Sequence, residues 1–205
     1  MRIARGGIDE LYAEAPFAFR VHDGVIHAVQ AAGGPVGGDE LSLLIVVEAG
    51  ATAVVRSVAA QLVLPGPAAV PCRVTAVVHV EDGATLDWAP EPTVLVAGSH
   101  LVSRTTIHIH GDARLRWRDV LVLGRFDEPA GRADSVLRVS VDDHPVVHHE
   151  PDLSPFGVGP NRVIATIIER DGDTRGLVTA DPRTYLHLAL ADSVAEIDAP
   201  AGLSR

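Results

Sequence analysis

His108 and His110 stand two apart in a strictly alternating stretch, I-H-I-H-G-D-A-R-L-R-W-R-D-V-L-V-L-G-R, over residues 107–125. Period-two alternation marks a β-strand, so both imidazoles leave the same face. Two imidazoles with a nearby carboxylate suit nickel or zinc, and Glu81 is such a carboxylate if neighbouring units stack. The ordinary alternative is a pair of half-exposed strand histidines bonded to the backbone. With Gly111-Asp112 read as a tight hairpin turn, the face of His108 and His110 also carries Ala113, Leu115, Trp117, Asp119, Leu121 and Leu123. An ionised carboxylate between Trp117 and Leu121 is costly unless it is paired, hydrogen-bonded or metal-bound. Asp119 therefore needs an arginine such as Arg125 or Arg104, or it lines a wet internal passage. Asp39 closes the Gly-rich run A-A-G-G-P-V-G-G-D and is open to the same passage reading or to that of a turn residue.

Other chemistries find no support. The sequence has no G-x-S-x-G, no P-loop and no H-E-x-x-H. An H-x-H on a β scaffold raises a cupin-like metal enzyme as an alternative, but no glutamate follows within the next few residues after His110. Cys72 is the single cysteine, which rules out an intrachain disulfide or a thiolate zinc cage and fits a reducing compartment.

The elements that must position these residues read as strands and turns. Residues 17–30 form two short strands about Asp23-Gly24, a type I′ pair. Hairpins are expected over 41–55 about Ala49-Gly50, over 74–88 about Asp82-Gly83, and over 105–117 about Gly111-Asp112. Two more are expected, over 137–147 about Asp142-Asp143-His144 and over 163–178 near Asp171-Gly172. Neighbouring turns lie roughly 26 to 33 residues apart, a spacing that suggests stacked supersecondary units. V-H-V-E-D-G-A-T-L-D-W (78–88) lies over I-H-I-H-G-D-A-R-L-R-W (107–117), matching His79 to His108, Glu81 to His110 and Trp88 to Trp117. The expected fold is mainly β: stacked antiparallel hairpins in a two-layer or β-helix-like scaffold, with one helix near the C-terminus over 185–197. Residues 152–161, with two Pro and two Gly, read as a loop.

Bulk composition supports one globular β domain over residues 1–205. The chain is 47% hydrophobic but only 4% aromatic, so its core is built from Val, Leu, Ile and Ala. All 17 basic residues are Arg, and the formal net charge of -10 argues against nucleic acid. No secretory signal or membrane-spanning run is visible, which makes a cytoplasmic location the expectation.

Several stretches together resemble the urease accessory proteins of the D type, called H in some organisms. Residues 33–43, G-G-P-V-G-G-D-E-L-S-L, resemble that family's P-x-G-G-V-V-G-G-D-x-L segment. Residues 80–99, with W-A-P-E-P-T, resemble its W-L-P-Q-P-T stretch, and 115–125 resemble its L-x-W-W-D-x-x-x-L-G-R block. Residues 141–149 resemble a strand-turn-strand ending in D-G-x-P-x-x-x-D, and order and spacing agree from about 33 to 149. Residues 56–66 depart from the family's T-T-Q-x-x-x-K-x-Y run. The resemblance implies a non-catalytic, β-rich maturation factor without a tightly bound cofactor. It would bind the F-type accessory protein, through it the G-type GTPase, and apo-urease, and would let Ni²⁺ pass transiently toward the urease active site. Asp39 and Asp119 fall in the matching motifs, whereas His108 and His110 are added from the strand pattern alone. A β-repeat interaction module without a metal role is the further alternative.

Overall fold

The computed structural model describes residues 1–68, 70–172 and 176–198. Its strands run β1 (Arg2–Ala4), β2 (Gly7–Glu10), β3 (Phe17–His22), β4 (Val25–Gln30), β5 (Glu40–Val47), β6 (Thr52–Ser57) and β7 (Gln61–Val63). They continue with β8 (Cys72–Val80), β9 (Thr85–Trp88), β10 (Thr93–Leu95), β11 (His100–Ile109), β12 (Arg114–Leu123), β13 (Arg132–Val141) and β14 (His144–His149). A helical turn, α1 (Pro155–Val158), precedes β15 (Val163–Arg170), β16 (Leu177–Val178), β17 (Thr184–Ala191) and the short helix α2 (Val194–Asp198). The chain is mainly β and forms a two-layer, β-solenoid-like scaffold with a short C-terminal helix, as expected.

The pairing within that scaffold differs from hairpins at three links. Strands β5, β8, β11 and β13 lie side by side in one sheet, all parallel. Strands β4, β6, β9 and β12 lie side by side in the other, also all parallel. The turns at Gly50, Gly83 and Gly111 therefore carry the chain from one sheet to the facing one. Each is closed by a bond from the fourth residue to the first: Ala51 N–H to Glu48 O at 2.9 Å, Ala84 N–H to Glu81 O at 2.9 Å, and Ala113 N–H to His110 O at 3.1 Å. The alanine that ends each turn is fully or almost fully buried. The physical distinction lies in the backbone. In the β3–β4 and β13–β14 hairpins both central residues, Asp23-Gly24 and Asp142-Asp143, have positive φ, as a type I′ turn requires. In the three crossing turns only the glycine does.

The crossing turns set which side chains face inward. Val47, Val80 and Ile109 precede them, and Ala53, Leu86 and Leu115 follow; all are buried in one apolar cluster with Trp117. Trp88 stacks on Trp117 at 4.9 Å with 8° between the ring planes. A second cluster, with Val63, Cys72, Leu95, Leu101, Leu121, Leu123 and Ile164, fills the other end. The Gly-rich loop packs backbone against backbone: a Cβ on Gly37 would lie 2.5 Å from Val70 O and 2.6 Å from Gly66 N.

Two further expectations change. Residues 185–191 are strand, not helix, and only 194–198 are helical. Their Leu and Ala content favours helix, but L-H-L-A-L alternates, and pairing with β15 takes the alternation. The partner of β15 is thus β17, and β16 pairs with β17 as well; part of the expected 171–175 turn region, residues 173–175, lies outside the described residues.

Trp117 is 4% exposed and holds the stack on Trp88. Trp117→Ala should cost roughly 3–5 kcal/mol. Urea unfolding monitored by circular dichroism measures this, and a loss below about 1 kcal/mol would contradict the core assignment.

Candidate functional site

Asp119 sits on the inward face of β12 between Trp117 and Leu121. That position is where the two apolar clusters meet. Around it is a small cavity with about 20 Å³ of room for a water molecule's centre, lined among others by Thr105 of β11, Ser135 of β13, His149 of β14 and Thr166 of β15. Cross-strand register places Asp119 opposite Thr166 and Thr105 opposite Leu137. Ser103 and Ser135 extend the polar layer, their hydroxyls 3.0 Å apart. A band of polar side chains therefore crosses an interior that is apolar on either side.

Neither charged member of the band is neutralised in the expected way. Arg125 is engaged by Glu128, with Nη2 to Oε1 at 2.8 Å, and no ion pair to Asp119 forms among the described residues. Burial pushes the Asp119 carboxyl well above the usual carboxylate range, against smaller opposing effects from the Val120 backbone N–H and the Arg118 charge. His149 is shifted downward by burial, and among the described residues its Nε2 is buried without a hydrogen-bond partner. An unpartnered imidazole nitrogen and a desolvated carboxyl on one cavity of this size suit a small polar or cationic guest. His149 escaped the sequence reading, although alternation from the buried Val147 points it inward.

The other sequence-selected residues lie elsewhere. His108 and His110 do not share a face with Asp119. Because the chain crosses between sheets at Gly111, Ile107 and Ile109 point inward and the histidines point outward from the seven-stranded sheet. A cupin-like centre, with its histidines inside a β-barrel, does not fit that placement. His108 stacks on His79 at 4.9 Å, and its Nδ1 lies 3.0 Å from Ser140 Oγ. Asp39 acts within its loop: its Oδ2 accepts the Val36 N–H at 2.9 Å, and its carbonyl accepts the Arg73 N–H at 2.8 Å. Burial, and then the Asp39 charge, push the Cys72 thiol up to about 11, so it stays protonated at neutral pH and offers no thiolate.

Comparison with known proteins is consistent with this architecture and decides the family. A family model described as UreD urease accessory protein matches residues 4–199. The chain belongs to the UreD family of urease accessory proteins. It is 46% identical over 143 residues to a UreD urease accessory protein of Parafrankia sp. (strain EAN1pec), covering 67% of this chain and 48% of that one. It is 35% identical over 162 residues to the Streptomyces avermitilis UreD, covering 76% and 64%, and 34% identical over 175 residues to the Pseudomonas aeruginosa UreD, covering 77% and 58%. The chain thus spans about half the length of curated UreD relatives that it matches. The UreD family is one of accessory proteins and not of catalysts. No helix among the described residues is long and apolar enough to cross a membrane.

The raised Asp119 pKa has a consequence for stability with a definite sign. The neutral acid's stabilising contribution is full below the unfolded value of about 3.9 and is lost as pH rises through the higher folded value. Asp119→Asn, which keeps the shape and cannot ionise, should melt above the parent chain at neutral pH. The difference should shrink as pH falls toward about 4. Thermal scans across that range test this; a difference independent of pH would contradict a carboxyl raised by desolvation.

Proposed function

We propose that this chain is a non-catalytic urease maturation factor that bridges the F-type and G-type accessory proteins to apo-urease and conveys nickel toward its active site. The observation that carries the reading is the polar band across the apolar interior, with the desolvated Asp119 carboxyl and the unpartnered His149 Nε2 on one cavity. A closed cage of strong ligands would trap the ion. One carboxylate, one imidazole and the hydroxyls of Thr105, Ser135 and Thr166 offer contacts weak enough to release it. Nickel is cargo here and not a resident cofactor. Pro151 and Leu153 line both the cavity and a wider outer groove of about 740 Å³, so the segment between β14 and α1 separates the two spaces. The proposal rests on Asp119; Asp39 and the His108–His110 pair stand on other parts of the scaffold, outside this cavity.

Partner binding is supported by an uncovered part of the interior face. Leu186 of β17 packs against the core, and Leu188 and Leu190 follow on the same side at 48% and 49% exposure. Leu177, paired with Leu186, is 65% exposed. The larger sheet thus extends an apolar edge, which we assign to the F-type partner.

Two outcomes test this reading. Asp119→Asn should leave the complex with the F-type protein intact while lowering the nickel content of urease matured with it; normal nickel content in an intact complex would exclude the passage role. Replacing Leu188 and Leu190 together by Asp should abolish co-purification with the F-type protein without lowering the melting temperature of this chain. Retained co-purification would place the partner elsewhere.

A further inference from the structure

On the outer face of the seven-stranded sheet, away from the Asp119 cavity, His79, Glu81 and His110 each bring one ligand atom to within 4.8 Å of the others. All three are half-buried, and they come from two adjacent parallel strands and the turns that end them. Their positions are fixed by the backbone ladder. The Glu81 N–H donates to Val47 O at 3.0 Å, and the His110 N–H donates to Val80 O at 2.9 Å. His79 is further held by its stack on His108, whose own Nδ1 faces Ser140 Oγ. His108 is thereby a wall of the cluster and not one of its three ligands.

The charge balance of the cluster favours a cation. Glu81 forms no ion pair among the described residues. The neighbouring carboxylate, Asp142, lies 4.0 Å from His110 Nδ1 on the far side of the row. Arg2, in the row of Val46 and His79, is engaged by Glu48 at 3.1 Å. Two imidazoles and two carboxylates thus share a patch in which Glu81 has no arginine ion pair among the described residues.

We infer that His79, Glu81 and His110 form an external site for one first-row divalent transition-metal ion, with two imidazole nitrogens and one carboxylate oxygen as ligands. This donor set selects Ni²⁺, Zn²⁺, Co²⁺ or Cu²⁺ over Mg²⁺ and Ca²⁺, which prefer all-oxygen shells. Ligands on a common ion at about 2.1 Å lie about 3.0–4.2 Å apart, so a modest rotation of the Glu81 side chain closes the set. Three protein ligands leave further positions for water or for a donor from another molecule. An ion held there is bound reversibly, on an exterior surface, and independently of the internal passage.

The test is a titration of the tag-free full chain with Ni²⁺, read by calorimetry, and with Co²⁺, read by its visible ligand-field absorption. The parent chain should show a site that His79→Ala with His110→Ala removes, with loss of one equivalent of Ni²⁺ and of the Co²⁺ spectrum. Glu81→Gln should weaken the site about tenfold or more, a conservative change that guards against a folding defect in the double variant. His108→Phe, which keeps a stacked ring without nitrogens, should retain the equivalent, and so should Asp119→Asn, which separates this site from the passage. Unchanged Ni²⁺ stoichiometry and affinity in both the double variant and Glu81→Gln, with unchanged melting temperatures, would overturn the assignment.

Discussion

The sheets face one another because three turns, each hinged on a positive-φ glycine, pass the chain from one layer to the next at the same level. Gly50, Gly83 and Gly111 stack along the edge of the solenoid, and side chains of successive turns bind the next in line. Asp82 Oδ1 accepts the Asp112 N–H at 2.8 Å, and Asp142 Oδ1 accepts the Gly111 N–H at 2.9 Å. A Cβ on Gly111 would run into the Asp82 side chain, so this close stacking itself demands glycine there. In-register parallel pairing follows, and with it the continuous interior rows. Arg170 fixes the other layer to the same edge: it is 4% exposed, donates to Ala113 O at 2.6 Å, and pairs with Asp181 at 3.2 Å. A buried guanidinium held by both a carbonyl and a carboxylate is a costly element to break.

The same alignment creates the polar band. Residues from β11, β12, β13, β14 and β15 meet at one level of the stack, and at that level Thr, Ser, Asp and His replace Val, Leu and Ile. A carboxylate there gains less from the Val120 N–H and the Arg118 charge than it loses to desolvation. Retaining Asp119 at that point is therefore an argument for a guest that arrives and leaves. The external His79–Glu81–His110 patch differs in kind. It offers two imidazoles and a carboxylate, lies on the exterior face, and leaves the core undisturbed.

Much of the scaffold was legible in the sequence. The alternation, the turn spacing and the match of 78–88 to 107–117 correctly gave a stacked β architecture, and the motif resemblance gave the family. The hairpin reading failed on a signal that was itself present. Pairing across Gly111-Asp112 sets Ile109 against Arg114 and Ile107 against Arg116, apolar against charged, which suits two facing sheets and not one hairpin. Once the strands are assigned to different layers, His108 and His110 turn outward and Asp119 stays inside. The cavity was harder to read. Thr105 and Ser135 are ordinary strand residues brought to one level by the parallel pairing of β11 and β13, and Thr166 reaches it through the antiparallel pairing of β15 with β12. His149 is legible through alternation from the buried Val147, which points it inward.

The account's central claim is that nickel passes through the band at Asp119. Crystals of the accessory complex trapped during transfer, measured at the nickel absorption edge, test it most directly. Anomalous density between Asp119 and His149, enclosed by Trp117 and Thr166, is the predicted result. Nickel density confined to the exterior of the chain, with the interior band free of the ion in a transfer-competent complex, would contradict it.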